Sequence, residues 1–124
     1  MAKQPSFDAS MRMVILHGKE SFLMSRYSSD LLEVLKDEYG DADKVTFDGA
    51  TVDLATVLDE LRTLDLLMRH KLVIVDNADS FVVAKENAKT PPRKALERYA
   101  EQPVEQATLL LRTEKYLARS ISLG

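Results

Sequence analysis

The stretch that decides the fold is LRTLDLLMRHKLVIVDNAD, residues 61–79. Its segment LVIV, residues 72–75, has no polar interruption and is β-branched at three of its four positions. A strand has this composition when both of its faces are covered, as in the middle of a parallel sheet. The stretch therefore predicts a buried central strand that ends at Asp76.

The turn before this strand, LDLLM at residues 64–68, contains four large apolar residues in five positions. A helix that points one face at a core cannot bury all of them on that face. Some of them should therefore be exposed, and an exposed apolar cluster commonly meets a partner. Leu64 continues the spacing of the preceding helix and is the one most easily explained as core, whereas Leu66 lies off that spacing.

Apolar runs and helical stripes alternate along the rest of the chain. Further strands are predicted at residues 13–16, 45–47 and 107–111, and the helices between them have caps at Ser21, Asp53 and Thr90-Pro91. The first helix has apolar residues at helical spacing and stops at Gly40. Its stripe consists of Phe22, Leu23, Tyr27, Leu31, Val34 and Leu35. The order of elements predicts an α/β fold, a three-layer parallel sheet flanked by helices.

Length and composition limit the possibilities. The chain of 124 residues has a net charge of −3 and no cysteine, which fits a single soluble domain in a reducing cytoplasm. Residues 1–12 are polar and aperiodic and are predicted to be a disordered leader, with one domain at residues 13–124. No apolar run approaches the length of a membrane span, so no contact with a membrane is expected.

Ligands of parallel α/β sheets bind at the carboxyl ends of the strands, so catalytic residues are sought there. The segment HGKES, residues 17–21, lacks the upstream glycine of a phosphate-binding loop and places Glu20 where a hydroxyl should bind magnesium. Asp76 follows a strand as a magnesium ligand would, but Asn77 replaces the carboxylate that would activate water. His17 and His70 have no other metal-ligating residue at the spacing of a metal site. We expect His17 to lie in a turn and His70 to face solvent.

An alternative stays open at the same strand ends. Asp48 and Asp76, with Asp79 nearby, would suit a small metal- or phosphate-dependent α/β enzyme. Acidic strand ends are common, so these residues alone do not establish such an activity.

The order of several motifs resembles the delta subunit of bacterial DNA polymerase III, the clamp-loader subunit that opens the sliding clamp. The resemblance rests on VILHGKESFL (residues 14–23), FDG (47–49), DLL (65–67), HKLVIV (70–75), DNAD (76–79) and the strand at 108–112. It covers nearly the whole chain, but only the N-terminal domain of a complete delta subunit. It implies a P-loop NTPase, AAA+-like fold whose nucleotide site is degenerate.

The resemblance also implies the function. In that family an apolar turn ahead of the third strand binds the sliding clamp, and the matching positions here are Leu64, Leu66 and Leu67. Leucine stands where the family usually has phenylalanine. No catalytic residue, cofactor or metal is implied, and no enzymatic activity of its own is expected within the polymerase III holoenzyme, a nucleotidyltransferase complex. The implied partners are the clamp (the beta subunit) and the other clamp-loader subunits, with primer–template DNA contacted only indirectly.

Overall fold

The computed structural model describes residues 7, 9–18, 21–64, 66–78, 92–113 and 121–122. Predictions that rest on Lys19, Glu20, Asp65 or residues 79–91, including the helix cap at Thr90-Pro91, lie outside these residues. The elements within them are β1 (Met13–His17), α1 (Ser21–Tyr39), β2 (Ala42–Asp48), α2 (Leu54–Arg62), β3 (His70–Asp76), α3 (Pro92–Glu101), β4 (Ala107–Thr113) and β5 (Ile121–Ser122).

The strands form one sheet in the order β2-β3-β4-β1-β5, and each neighbouring pair is parallel. β3 is buried over its first six residues, whereas β2 at the edge alternates between exposed and partly buried positions. The α/β class, the parallel sheet and the buried strand at residues 72–75 are therefore confirmed.

Helices cover both faces of this sheet. On one face, Leu72 and Ile74 of β3 pack with the apolar side of α1. On the other face, Val73 and Val75 pack with α2 and α3, where Tyr99 belongs to the same cluster. Successive residues of a strand point to opposite faces, so a strand covered on both sides must be apolar throughout. This explains the uninterrupted LVIV segment and confirms the three layers.

Two of the predicted helix ends are found in the described residues. Gly40 has a φ of +85°, which ends α1 in a conformation that side chains rarely adopt. Asp53 caps α2: its backbone is extended, and its carboxylate accepts a hydrogen bond from the Thr56 amide at 3.0 Å. None of the helices within the described ranges has the length and apolar character that a membrane crossing requires.

The prediction that Phe22 belongs to the core stripe of α1 is wrong, because its side chain is 74% exposed. The buried stripe instead runs through Met24, Tyr27, Leu31 and Leu35. Phe22 precedes Met24 by two positions, and residues at that spacing point to nearly opposite sides of a helix. An exposed phenylalanine therefore lies at the start of α1.

His70 was expected to face solvent, and it is buried instead, with only 5% of its surface exposed. Its ring stacks on Tyr39 with centroids 4.2 Å apart, and its Nε2 lies 2.8 Å from the Thr108 hydroxyl. Burial, with a smaller effect from the positive charge of Arg12, lowers the pKa of His70 to about 4. His17, expected in a turn, is the last residue of β1.

This buried histidine predicts a dependence of stability on pH. Folding lowers the pKa of His70 from 6.5 to about 4, so between these values the unfolded chain binds a proton that the folded chain does not. Stability should therefore fall as the pH drops below about 6.5, by about 3 kcal/mol once the pH is below about 4. His70→Gln should remove this component, which urea unfolding of both chains from pH 4 to 7 would measure. If the free energy of unfolding changed with pH in the same way for both chains, His70 would not be the cause of the dependence.

Residues 9–12, which the sequence places in the leader, contact the domain. The Arg12 guanidinium donates a hydrogen bond to the Ala9 carbonyl at 2.7 Å, and the Tyr39 hydroxyl donates to the same carbonyl at 3.0 Å. Met11 packs against the core on the α1 side of the sheet. This part of the predicted leader is therefore attached to the end of α1.

Candidate functional site

The most prominent exposed apolar feature of the described residues lies between α2 and β3. We call it the apolar turn and define it as Leu64, Leu66, Leu67 and Met68. The exposed fractions of these side chains are 54%, 99%, 72% and 70%, respectively. The exposure that the sequence predicted for part of this turn is present at Leu66 and Leu67. Leu64, the residue most easily explained as core, is exposed as well. Contact of the three leucines with a partner stays a prediction.

The backbone explains why the apolar turn leaves the core. The buried stripe of α2 ends at Leu61, and Thr63 caps the helix in an extended conformation with φ −85° and ψ 122°. Leu64 therefore does not continue the helical spacing and lies mostly in solvent. Met68 then has a φ of +57°, a left-handed conformation that is uncommon for residues other than glycine. Such a residue persists when its surroundings hold it in place.

Lys71 holds the α2 side of the apolar turn. Its ammonium group is buried and donates hydrogen bonds to the carbonyls of Glu60 at 3.2 Å and Thr63 at 2.8 Å. It also forms an ion pair with the Glu60 carboxylate. A cation at the end of a helix satisfies carbonyls that have no partner within the helix. The last turn of α2 is thereby fixed to β3 directly below the exposed leucines.

Arg69 holds the β3 side of the same turn. Its guanidinium lies 3.8 Å from a carboxylate oxygen of Asp41 and 3.9 Å from one of Asp43. These partners precede and begin β2, so the chain is tied to the edge strand just after Met68. Because both ends are attached to the sheet, the apolar turn is positioned before any partner arrives.

Asp48 and Asp76, the carboxylates of the alternative enzyme, lie side by side at the opposite end of the sheet. Asp48 and Asp76 are paired in the register of β2 and β3. One oxygen of Asp48 accepts hydrogen bonds from the Ala50 amide at 2.9 Å and the Asn77 side chain at 3.1 Å. The Ala50 bond first, and the Asn77 bond second, hold the pKa of Asp48 below its usual value against a slight desolvation. Asp48 is thus already hydrogen-bonded to its own turn and to the residue that follows β3.

Asp76 forms an ion pair with a residue that is distant in the sequence. The Arg112 guanidinium forms an ion pair with the Asp76 carboxylate and donates a hydrogen bond to the Ser28 hydroxyl at 3.2 Å. Arg112 therefore places a positive charge beside Asp76, where the alternative enzyme would need a metal ion. Within the ranges that the structure describes, no cluster of three or more His, Asp or Glu side chains suits a metal ion. Asp79 lies outside those ranges.

Sequence signals existed for both missed partners. Lys71 directly precedes the apolar run at residues 72–75, and Arg112 directly follows the apolar run at residues 107–111. A charge at the end of a buried strand is costly without a partner of opposite charge. The identity of each partner depends on the register of the strands and on the position of the helices, which a single sequence does not provide.

Nearly the whole chain, and not only the apolar turn, is similar to known proteins. The family model described as DNA polymerase III, delta subunit, matches residues 14–123. No curated protein matches the chain. Among solved structures, the chain is similar to the Bacillus subtilis DNA clamp loader delta protein (YqeN), with a TM-score of 0.65 and 25% sequence identity. The similarity covers 88% of this chain and 33% of that one.

This chain thus spans about a third of the length of the Bacillus subtilis protein. The parallel sheet flanked by helices is the fold of the matched part of that protein. The family match includes both the apolar turn and the strand ends that carry Asp48 and Asp76. Because the match covers nearly all of the sequence, the chain belongs to the DNA polymerase III delta subunit family.

Proposed function

We propose that this chain is the domain of a clamp-loader delta subunit that binds the sliding clamp in bacterial DNA replication. The observation that carries the proposal is the apolar turn, in which Leu66 and Leu67 are exposed to solvent by 99% and 72%. Large exposed apolar clusters on an otherwise polar surface mark contacts with other proteins. Leu64 and Met68 extend the same surface on either side.

The size of the apolar turn is sufficient for a specific interface. Burial of a leucine side chain stabilises a complex by about 1.5–3 kcal/mol, so two or three leucines dominate the free energy of a small interface. The cost of association removes part of this gain. An interface centred on Leu66 and Leu67 should therefore be of moderate affinity and should depend strongly on both residues.

The attachments of the apolar turn support a recognition role over accidental exposure. Lys71 fixes the end of α2, and Arg69 ties the following residues to Asp41 and Asp43. A surface that is already ordered loses less conformational entropy when it binds. The clamp would therefore meet a preformed apolar protrusion.

Opening of the clamp follows from this binding if the domain prefers one state of the clamp. A protein that binds better to a clamp with a strained or open subunit interface shifts the population towards that state. In this proposal the domain does not hydrolyse ATP, and the other clamp-loader subunits expose or hide the apolar turn. Primer–template DNA is contacted only indirectly. Residues 13–124 act as the N-terminal, AAA+-like domain of a longer cytoplasmic chain.

The direct test is sedimentation velocity of the chain mixed with a purified bacterial sliding clamp. We expect a complex at concentrations of about 10 μM. Such an affinity corresponds to about −7 kcal/mol, of which the two leucines supply about 3–6 kcal/mol and the surrounding contacts the rest. The clamp alone and the chain alone are the controls. Sedimentation of the two proteins as separate species at about 100 μM would contradict the proposal.

Calorimetry separates this function from the alternative enzyme. Arg112 already neutralises Asp76, and Asp48 is bonded to its own turn. We therefore expect no binding heat when Mg²⁺ and ATP are added together to the chain at millimolar concentrations. EDTA-treated chain serves as the control. A saturable heat that disappears with Asp76→Asn would favour a metal- or phosphate-dependent enzyme.

A further inference from the structure

A hollow lies directly beside the apolar turn. Its volume is about 330 Å³, and Met68 belongs both to the apolar turn and to the wall of the hollow. A partner that covers Leu66 and Leu67 therefore reaches this hollow without crossing other surface. The lining residues are Arg12, Tyr39, Met68, His70, Glu105 and Gln106.

Contacts within the domain hold the wall of the hollow. The rings of Tyr39 and His70 are stacked, with an angle of 7° between their planes, and the His70 ring is held by the Thr108 hydroxyl at 2.8 Å. With a pKa of about 4, His70 is neutral near pH 7 and adds no charge to this wall. This part of the wall is thus an uncharged aromatic surface that is formed before a partner binds.

Arg12 gives the hollow its positive charge. Its guanidinium lies 5.9 Å from the centre of the Tyr39 ring and donates hydrogen bonds to the Ala9 carbonyl and the Tyr39 hydroxyl. Neither acceptor is charged. No ion pair of Arg12 is found among the described residues, and Glu105 on the rim is not within ion-pair distance. A guanidinium has five N–H donors, so donors remain for a carboxylate.

We propose that this hollow receives an acidic side chain of the sliding clamp when the clamp covers Leu66 and Leu67. The proposal rests on the proposed function and adds a second, charged contact to it. Among the described residues Arg12 has no carboxylate partner, and a guanidinium in that state beside an apolar protrusion favours an acidic group on the clamp. The apolar turn supplies affinity, and Arg12 fixes the orientation of the complex.

The experiment compares Arg12→Gln with the unchanged chain in binding the clamp at several salt concentrations. We expect about tenfold weaker binding at low salt, as for the loss of a charge-assisted hydrogen bond, together with a weaker dependence on salt. Arg12→Lys keeps the charge and should keep most of the salt dependence. Arg26→Gln, on the exposed side of α1, is the matched control and should change neither quantity.

Tyr39→Phe tests whether Arg12 acts only through the local structure. This change removes the hydroxyl that bonds Arg12 and Ala9 but keeps the ring that stacks on His70. The inference predicts that Tyr39→Phe leaves the salt dependence unchanged. An equal loss of salt dependence in Tyr39→Phe and Arg12→Gln would overturn it.

The outcomes separate the two proposals. If Leu66→Asp with Leu67→Asp abolishes binding while Arg12→Gln binds like the unchanged chain at all salt concentrations, the charged contact is disproved and the apolar one stands. If the unchanged chain does not bind the clamp, both proposals are overturned.

Discussion

Replacement of Leu66 and Leu67 together by aspartate should weaken binding to the sliding clamp by at least about a hundredfold. The two leucines contribute about 3–6 kcal/mol if both are buried in the complex, and the new carboxylates would have to be desolvated at the same place. The fold should not change, because these side chains are 99% and 72% exposed in the free chain. Sedimentation velocity gives the affinity, and circular dichroism with urea unfolding gives the stability.

Phe22→Asp is the matched control for this double change. Phe22 is also a large apolar residue, with 74% of its surface exposed, but it lies at the start of α1 instead of between α2 and β3. Its replacement should leave the affinity for the clamp within about twofold, since surface changes away from a contact are usually within about 0.5 kcal/mol. Equal losses of affinity in Phe22→Asp and in the double variant would show that any exposed apolar residue is sufficient and would contradict a specific site.

Replacement of Lys71 by methionine should lower the free energy of unfolding by about 2–4 kcal/mol. The removal of one member of a buried ion pair typically costs about 3–5 kcal/mol, and the partly exposed Glu60 carboxylate reduces this value. The Thr63 carbonyl also loses its donor. The end of α2 should then be less firmly held, so we expect about threefold to tenfold weaker binding to the clamp as well, from the added entropic cost of ordering the turn.

Lys44→Met is the control for this effect. Lys44 lies on β2 opposite Leu72 in the register, but its side chain is exposed. Its replacement should change the free energy of unfolding by less than about 0.5 kcal/mol. Urea unfolding of the two variants under the same conditions decides the matter: equal stabilities would show that Lys71 does not hold the end of α2.

Local sequence pattern was sufficient for the features that depend on neighbouring residues. The LVIV segment predicted a strand covered on both faces, because only an uninterrupted apolar run fits that position. Gly40 and Asp53 predicted the end of α1 and the start of α2, because each acts within one helical turn. The exposure of Leu66 followed from the same kind of argument, since its position lies off the helical stripe.

Features that depend on elements distant in the chain were not predictable. His70 is buried because Tyr39 and Thr108 cover it, and both are more than 30 positions away along the sequence. The ion pair of Arg112 with Asp76 likewise requires the neighbouring register of β3 and β4. Phe22 was expected in the core because it is apolar, but it is exposed. The residues that follow it in α1 determine which side of the helix faces the sheet, and Phe22 lies on the other side.

The central claim, that the apolar turn is the surface covered by the clamp, is tested most directly by a fluorescent label. The chain has no cysteine, so Met68→Cys provides a single attachment site for an environment-sensitive dye beside Leu66 and Leu67. Phe22→Cys provides the comparison site. On addition of a purified sliding clamp, the account predicts a blue shift of the dye at position 68 and no shift at position 22. A shift at position 22 with none at position 68, under conditions where the complex sediments, would contradict it.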